Sequence, residues 1–164
     1  MTIDEVIEVL TMQEEILQFS HFTNSDAWSL GNMMVMEAQR RGVHPLISIR
    51  LNNGFVVFQY GFDGANLMNE RWIERKQKTV MITEKSSMLM AMELRRAGEA
   101  LTDHFADAET MAASGGGFPI RIEEVGVIGS ILVSGMDPVS DHDLIVKCVS
   151  KYLHVDEVPR IKAF

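Results

Sequence analysis

Residues 46–60, LISIRLNNGFVVFQY, limit the folds open to this chain more than any other stretch. Ile47, Ile49 and Leu51 alternate with Ser48 and Arg50, the period of a strand with two unlike faces. Asn53-Gly54 then interrupts the run. Asn-Gly is the strongest short hairpin signal, because a type I′ turn needs positive φ at both central residues. A hairpin commits this part of the chain to antiparallel pairing, since parallel neighbours need long crossovers.

A second hairpin is predicted further on. Ile120 and Ile122 alternate with Arg121 and Glu123, and Glu123-Glu124 supplies the tip. VGVIGSILVS (125–134) is small and apolar on both faces, as a central strand covered by helices on both sides would be. TVMIT (79–83) is a short apolar run that reads as one more strand, giving five in all.

Helical spacing fills the rest. Thr2-x-x-Glu5 is a capping box before Ile3, Val6, Ile7 and Leu10. A second helix starts after Asn24 or Ser25, carries Ala27, Leu30, Gly31, Met34 and Ala38, and closes at Gly42. A third runs through Glu70–Lys76. Ser86 or Ser87 caps a fourth with Met90, Leu94, Ala97 and Leu101 on one face. Ser140-x-x-Asp143 reads as a capping box for a last helix with Leu144, Ile145, Cys148, Val149 and Tyr152. The order ααββα(β)αββα predicts an α/β (α+β) fold: a profilin-like three-layer α/β/α domain with a five-stranded antiparallel sheet, not a doubly wound one.

Composition bounds the function. With 164 residues and no repeat, linker or low-complexity tract, residues 1–164 read as a single domain. No apolar run approaches the roughly 20 residues of a spanning helix, and the N-terminus lacks a basic leader, so no membrane role and a cytoplasmic location are expected. Cys148 is the single cysteine, which excludes an internal disulfide or a zinc knuckle. A net charge of −8 argues against nucleic acid as partner. Seven acidic residues and no basic one precede Arg40, and ten of the fifteen Lys and Arg lie between Arg40 and Arg96. Such a split supports either a solvated acidic helix or contacts between oppositely charged subunit faces.

Three places carry candidate chemistry. MAASGGGFPIR (111–121) puts Gly115, Gly116 and Gly117 before Phe118-Pro119. No Gly-Lys-Ser/Thr follows and the run leads into a strand, so it is no phosphate loop. Bare backbone there suits close approach by a ligand or a subunit; otherwise it is a corner into an edge strand guarded by Pro119. With Ser140 as cap, Asp141 and His142 stand first in a helix, where the dipole favours an ionised Asp141 and a neutral His142 able to take a proton. NERWIERKQK sets Trp72 among Arg71, Arg75, Lys76 and Lys78, suited to an anion or a single strand of nucleic acid, or, given the acidic whole, to a solvated helix face with a packed Trp, with Lys76 as a ligand-facing cation. The remaining histidines show no ligand spacing, and no protein-built metal site is expected. The twelve methionines suit the core or a subunit interface.

Asn66, Arg71-Trp72, Lys76, Gly115-Gly116-Gly117-Phe118-Pro119-Ile120-Arg121, Val127-x-Gly129, Val133-Ser134-Gly135 and Asp141-His142 together resemble the GlcG/HbpS-like family along the whole chain. More closely they resemble its branch of small proteins labelled with a haem-degrading domain. The resemblance implies a profilin-like fold with five antiparallel strands and assembly into dimers or larger rings. It also implies haem or a corrinoid-related molecule as a ligand of the wider family, with His142 the one motif-matched residue able to ligate iron. Three functions are open at this point. One is an oligomeric binding protein taking a small anionic ligand at Gly115, Gly116, Gly117, Phe118, Pro119, Lys76, Trp72 and His142. A second is a haem-binding or haem-degrading protein in which His142 and Asp141 act catalytically. A third is an assembly or partner-docking module.

Overall fold

The computed structural model describes residues 1–104 and 107–162. Helix α1 spans Ile3–Ile16 behind the reciprocal Thr2/Glu5 capping box. Helix α2, Asn24–Arg41, starts one residue earlier than the spacing suggests, because Thr23 and Asp26 form a second capping box. Strands β1, Leu46–Leu51, and β2, Val56–Gly61, pair antiparallel across the Asn-Gly loop. That loop is not type I′. Gly54 N donates to Leu51 O and Leu51 N to Phe55 O, and Gly54 alone adopts positive φ, at 91°. It is a three-residue loop with a left-handed glycine.

Helix α3 runs Leu67–Thr83 and helix α4 Ser87–Ala97. Strands β3, Gly117–Ile122, and β4, Gly126–Ser134, form the second hairpin, and helix α5, Pro138–Tyr152, completes the fold. The sheet has four strands in the order β2-β1-β4-β3, all neighbours antiparallel. The expected fifth strand does not form: residues 79–83 are the last turn of α3. Ile73, Lys76 and Val80 continue one buried helical stripe, and the Thr79 and Thr83 hydroxyls donate to carbonyls four residues back. Beside β3 lies a single parallel bridge from Phe19 to Ile122.

The alternation of β1 and β4 divides the interior. Ile47, Ile49, Ile131 and Val133 join Phe118 and Ile120 against α2 and α5, all at 0% exposure. Each such side chain contributes about 1.5–3 kcal/mol on burial. The opposite face presents Ser48, Arg50, Ser130 and Ser134 with Leu46 and Leu132, and α3 covers it. Helices thus lie on both faces, and one of the two interiors is markedly polar. No helix among the described residues is long and apolar enough to cross a membrane.

Helices α1 and α4 pack on each other through Val6, Leu10, Met88 and Leu89. Glu14 ties them: its Oε1 accepts from Ser86 N, the α4 cap, at 3.1 Å, while its buried Oε2 has no partner among the described residues. Burial raises this carboxyl from 4.5 to about 7. The folded state therefore holds a proton that the unfolded chain releases, so this group's contribution falls as pH climbs from 4.5 to 7. Glu14→Gln should lose that slope, gaining stability relative to the parent as pH rises through the window. Urea midpoints at either end measure it, and a pH-independent difference would remove the assignment.

Candidate functional site

The site grows from the N-terminal half of α3. Asn66 caps the helix, accepting from Met68 N, while Asn69 Oδ1 accepts from Asn66 N. With that start fixed, helical spacing aims Ile73 and Lys76 at the sheet and sets Asn69 and Trp72 along one margin. Arg50, 5% exposed, donates to Ser48 Oγ at 2.9 Å, Gln59 Oε1 at 3.0 Å and Glu70 Oε1 at 2.6 Å, joining β1, β2 and α3. Asn69 Nδ2 reaches Ser134 Oγ at 3.5 Å, near the end of β4.

From the other side comes α5. Its cap is Asp137, not Ser140: Asp137 Oδ1 accepts from Ser140 N at 2.9 Å, and Pro138 takes the first helical position, where a missing N–H costs nothing. Asp141 and His142 consequently stand one turn inside the helix. Asp141 Oδ1 accepts from Met136 N at 3.0 Å and Oδ2 from Lys76 Nζ at 3.1 Å. Lys76 Nζ also donates to Val133 O at 2.8 Å. Both side chains are 3% exposed. Burial pulls the Lys76 ammonium below its ordinary value and pushes the Asp141 carboxyl from 3.8 up to about 6, with Lys76 opposing the rise. The pair pins α3, β4 and α5 together at the wall of a cleft of about 330 Å³, lined also by Met68, Asn69, Trp72, Ser134 and Gly135.

A second groove, about 670 Å³, lies on the far side of Trp72 and shares Met68 and Trp72 with the first. Arg71, Arg75 and Lys78 line it together with Glu74, on the same helix, and Glu109. The Arg75 guanidinium sits 4.6 Å over the Trp72 ring and donates to Ala108 O at 3.0 Å. Lys78 donates to Thr110 Oγ1 at 2.8 Å.

The residues singled out in the sequence separate into two groups. Lys76, Trp72 and Asp141 line the cleft together. Gly115, Gly116, Gly117, Phe118 and Pro119 are buried, and the bare backbone of the glycines is taken up by the chain's own packing. A Cβ on Gly115 would stand 2.1 Å from Pro138 O, and one on Gly116 2.3 Å from Val133 O and 2.7 Å from Lys76 Nζ. Pro119 does lie on an edge strand. His142 is 1% exposed and packed near Phe118, with Nε2 2.7 Å from Gln13 Oε1. Because the Gln13 amide nitrogen donates to Pro159 O, its oxygen accepts from His142 Nε2–H, and Nδ1 is left without a partner among the described residues. Burial lowers this imidazole to about 4, so it is neutral and joins α1 to α5 away from the cleft.

Met68 and Asn69 were not legible as site residues, and Ser134 was legible only as part of the Val133-Ser134-Gly135 signature. Only the crossing of α3 over β4 unites Asn69 with Ser134. Cys148 is buried, and its thiol is pushed up to about 12. No group of three or more His, Cys, Asp or Glu among the described residues is placed to hold a metal.

Comparison with known proteins agrees with the fold. The family model described as haem degrading protein HbpS-like matches residues 22–150. A UPF0303 protein of Streptomyces avermitilis is 36% identical over 148 residues, covering 90% of each chain. One from Edwardsiella ictaluri is 34% identical over 158 residues, covering 96% of this chain and all of the relative. The crystal structure of Ybr137w protein superposes with a TM-score of 0.83 at 27% identity, covering 90% of this chain and 87% of that one. That of a PduOC:Heme complex gives 0.66 at 20% identity over 79% of this chain and 93% of the other. At that identity the likeness extends to the fold alone. On the family match and these relatives, the chain belongs to the HbpS-like family and stands among its UPF0303 members.

Proposed function

We propose that the chain binds a small anionic organic molecule in the two adjoining grooves that meet at Trp72. The observation that carries this is their shared wall. An apolar or aromatic body packs against Met68 and Trp72, an anionic group meets Arg71, Arg75 and Lys78, and the inner end reaches Asn69, Ser134 and the Lys76–Asp141 pair. Trp72 is 37% exposed, enough to stack on a ligand while its ring is held by Arg75.

A tetrapyrrole is the second reading, favoured by the family's description and by the volume of the outer groove, about 670 Å³. His142 does not fit as an iron ligand, because it is buried and bonded to Gln13. Met68, 63% exposed, is the thioether in the groove, and haem held there would set its carboxylates against Arg71, Arg75 and Lys78.

One titration separates the readings. In a Trp28→Phe background, which leaves Trp72 as the sole tryptophan, aromatic carboxylates should quench fluorescence saturably, and Arg71→Ser should weaken the effect. Loss of one charge-assisted contact costs roughly 1.5–3 kcal/mol, about ten- to a hundredfold in Kd. Haemin added to the same sample should give a shifted Soret band that moves again in Met68→Leu if the tetrapyrrole reading holds. Quenching by none of the carboxylates, with no Soret shift, would end both. Sizing that sample by light scattering also tests self-association, which the exposed Trp28, Met36, Phe55 and Tyr60 support: a mass above one chain's is expected.

A further inference from the structure

We infer that Lys76 is a carbonyl-capturing amine, so that the inner cleft takes small aldehydes or ketones bearing an anionic group and holds them as an imine. This rests on the cleft being the binding site. Its geometry goes beyond what a structural ion pair requires. Lys76 is the one buried lysine among the described residues, and it lines the wall of the inner cleft. Its Nζ is held 2.8 Å from Val133 O and 3.1 Å from Asp141 Oδ2. Backbone crowds it on one side, since a Cβ on Gly116 would come within 2.7 Å. The amine is therefore fixed in position beside a carboxyl, with Ser134 and Asn69 lining the same cleft. Other lysines are more exposed, as at Lys147 and Lys151, or pair at the surface, as Lys85 does with Glu93.

The protonation balance suits the chemistry. Burial moves Lys76 and Asp141 toward their neutral forms, so transfer of the ammonium proton to Asp141 leaves a free amine and a carboxylic acid. The Nζ lone pair adds to the carbonyl carbon, and the C=O π electrons become an alkoxide that takes a proton from Asp141. The carboxylate then removes the second Nζ proton, giving a neutral carbinolamine. Returned to the hydroxyl, that proton lets water depart as the C=N bond forms. The sum is an ammonium plus a carbonyl compound giving a protonated imine plus water, with no oxidant or reductant consumed. The anionic group of the substrate faces the cationic side of Trp72.

Glyoxylate with cyanoborohydride provides the test, since hydride traps an imine as a stable secondary amine. Peptide mapping by mass spectrometry should find Lys76 labelled ahead of Lys147 and Lys151 despite its burial, by roughly tenfold for each unit that burial lowers its pKa. Asp141→Asn removes the charge that retains the Lys76 proton, so the labelling midpoint should move to lower pH. The mapping itself needs no variant. Labelled Lys147 and Lys151 beside an unmodified Lys76 peptide would overturn the inference. Reversible quenching of Trp72 by glyoxylate without an adduct at Lys76 would overturn the imine and leave the binding reading intact. An adduct at Lys76, with no quenching by any carboxylate, would support the amine and remove the outer anion groove.

Discussion

Asp141→Ala should lose about 3–5 kcal/mol of unfolding free energy, because it strands a lysine ammonium in the interior. Lys76 would keep only Val133 O as a partner at 3% side-chain exposure. It must then shed its proton or draw α3 away from β4, and either costs stability. Lys76→Met is milder at low pH, since Asp141 can hold a proton and keep its bond to Met136 N. That variant carries a pH signature of definite sign. The Asp141 carboxyl already sits at about 6 against an ordinary 3.8, and loss of Lys76 raises it further. A raised folded value means that the native state binds the extra proton, so stability is highest below 3.8 and falls as pH rises through 6 and beyond. Chemical denaturation across that range reads both effects. The double variant Lys76→Met/Asp141→Leu should cost less than Lys76→Met and Asp141→Leu summed, as paired buried charges do when replaced together by apolar groups. An Asp141→Ala protein within about 0.5 kcal/mol of the parent would mean that the pair does not hold these elements together.

Gly116→Ala is the second large effect. Its φ of 118° lies where L residues are strained, and the new Cβ would meet Val133 O at 2.3 Å. Backbone strain of roughly 1–3 kcal/mol adds to overpacking of a similar size, so a loss of about 2–6 kcal/mol is expected. Backbone cannot step aside as a flexible side chain can: Gly116 O accepts from Val133 N at 2.8 Å, fixing this segment against β4. Thermal melting and native-state hydrogen exchange at Val133 measure the result. A wild-type melting temperature would show that residues 114–117 relax freely and do not brace the Lys76 ammonium.

Much of the architecture was legible because it is local. Capping boxes depend on residues three apart, hairpins on a few turn residues, and face assignment on periods of 2 and 3.6. Both hairpins and helices α1, α2, α4 and α5 followed in outline from such rules, whereas α3 runs Leu67–Thr83 rather than through Glu70–Lys76 alone. Where local rules misled, a competing local feature won. TVMIT is β-branched, yet Val80 continues the Ile73–Lys76 stripe and the chain stays helical to Thr83. Ser140 and Asp143 have capping-box spacing, but Asp137-Pro138 starts the helix three residues sooner.

The candidate site was legible only in part, because its members meet through the crossing of α3 over β4 and α5. Lys76, Trp72 and Asp141 stand out as charged or aromatic residues, and Ser134 lies in the Val133-Ser134-Gly135 signature, while Met68 and Asn69 give no signal. The glycine run was the most visible motif, and its role lies inside the molecule, where α5 and β4 pass too close for a side chain. His142 likewise attracted attention as an imidazole at a helix start and became an interior tie through Gln13. By itself the sequence determined the antiparallel pairing, the presence of the helices and the family, since each rests on residues near in sequence or on a recognisable pattern. Tertiary structure alone decided which polar groups are buried together and which face a cleft, because burial and the pairing of Lys76 with Asp141, 65 residues apart, are set by packing between elements.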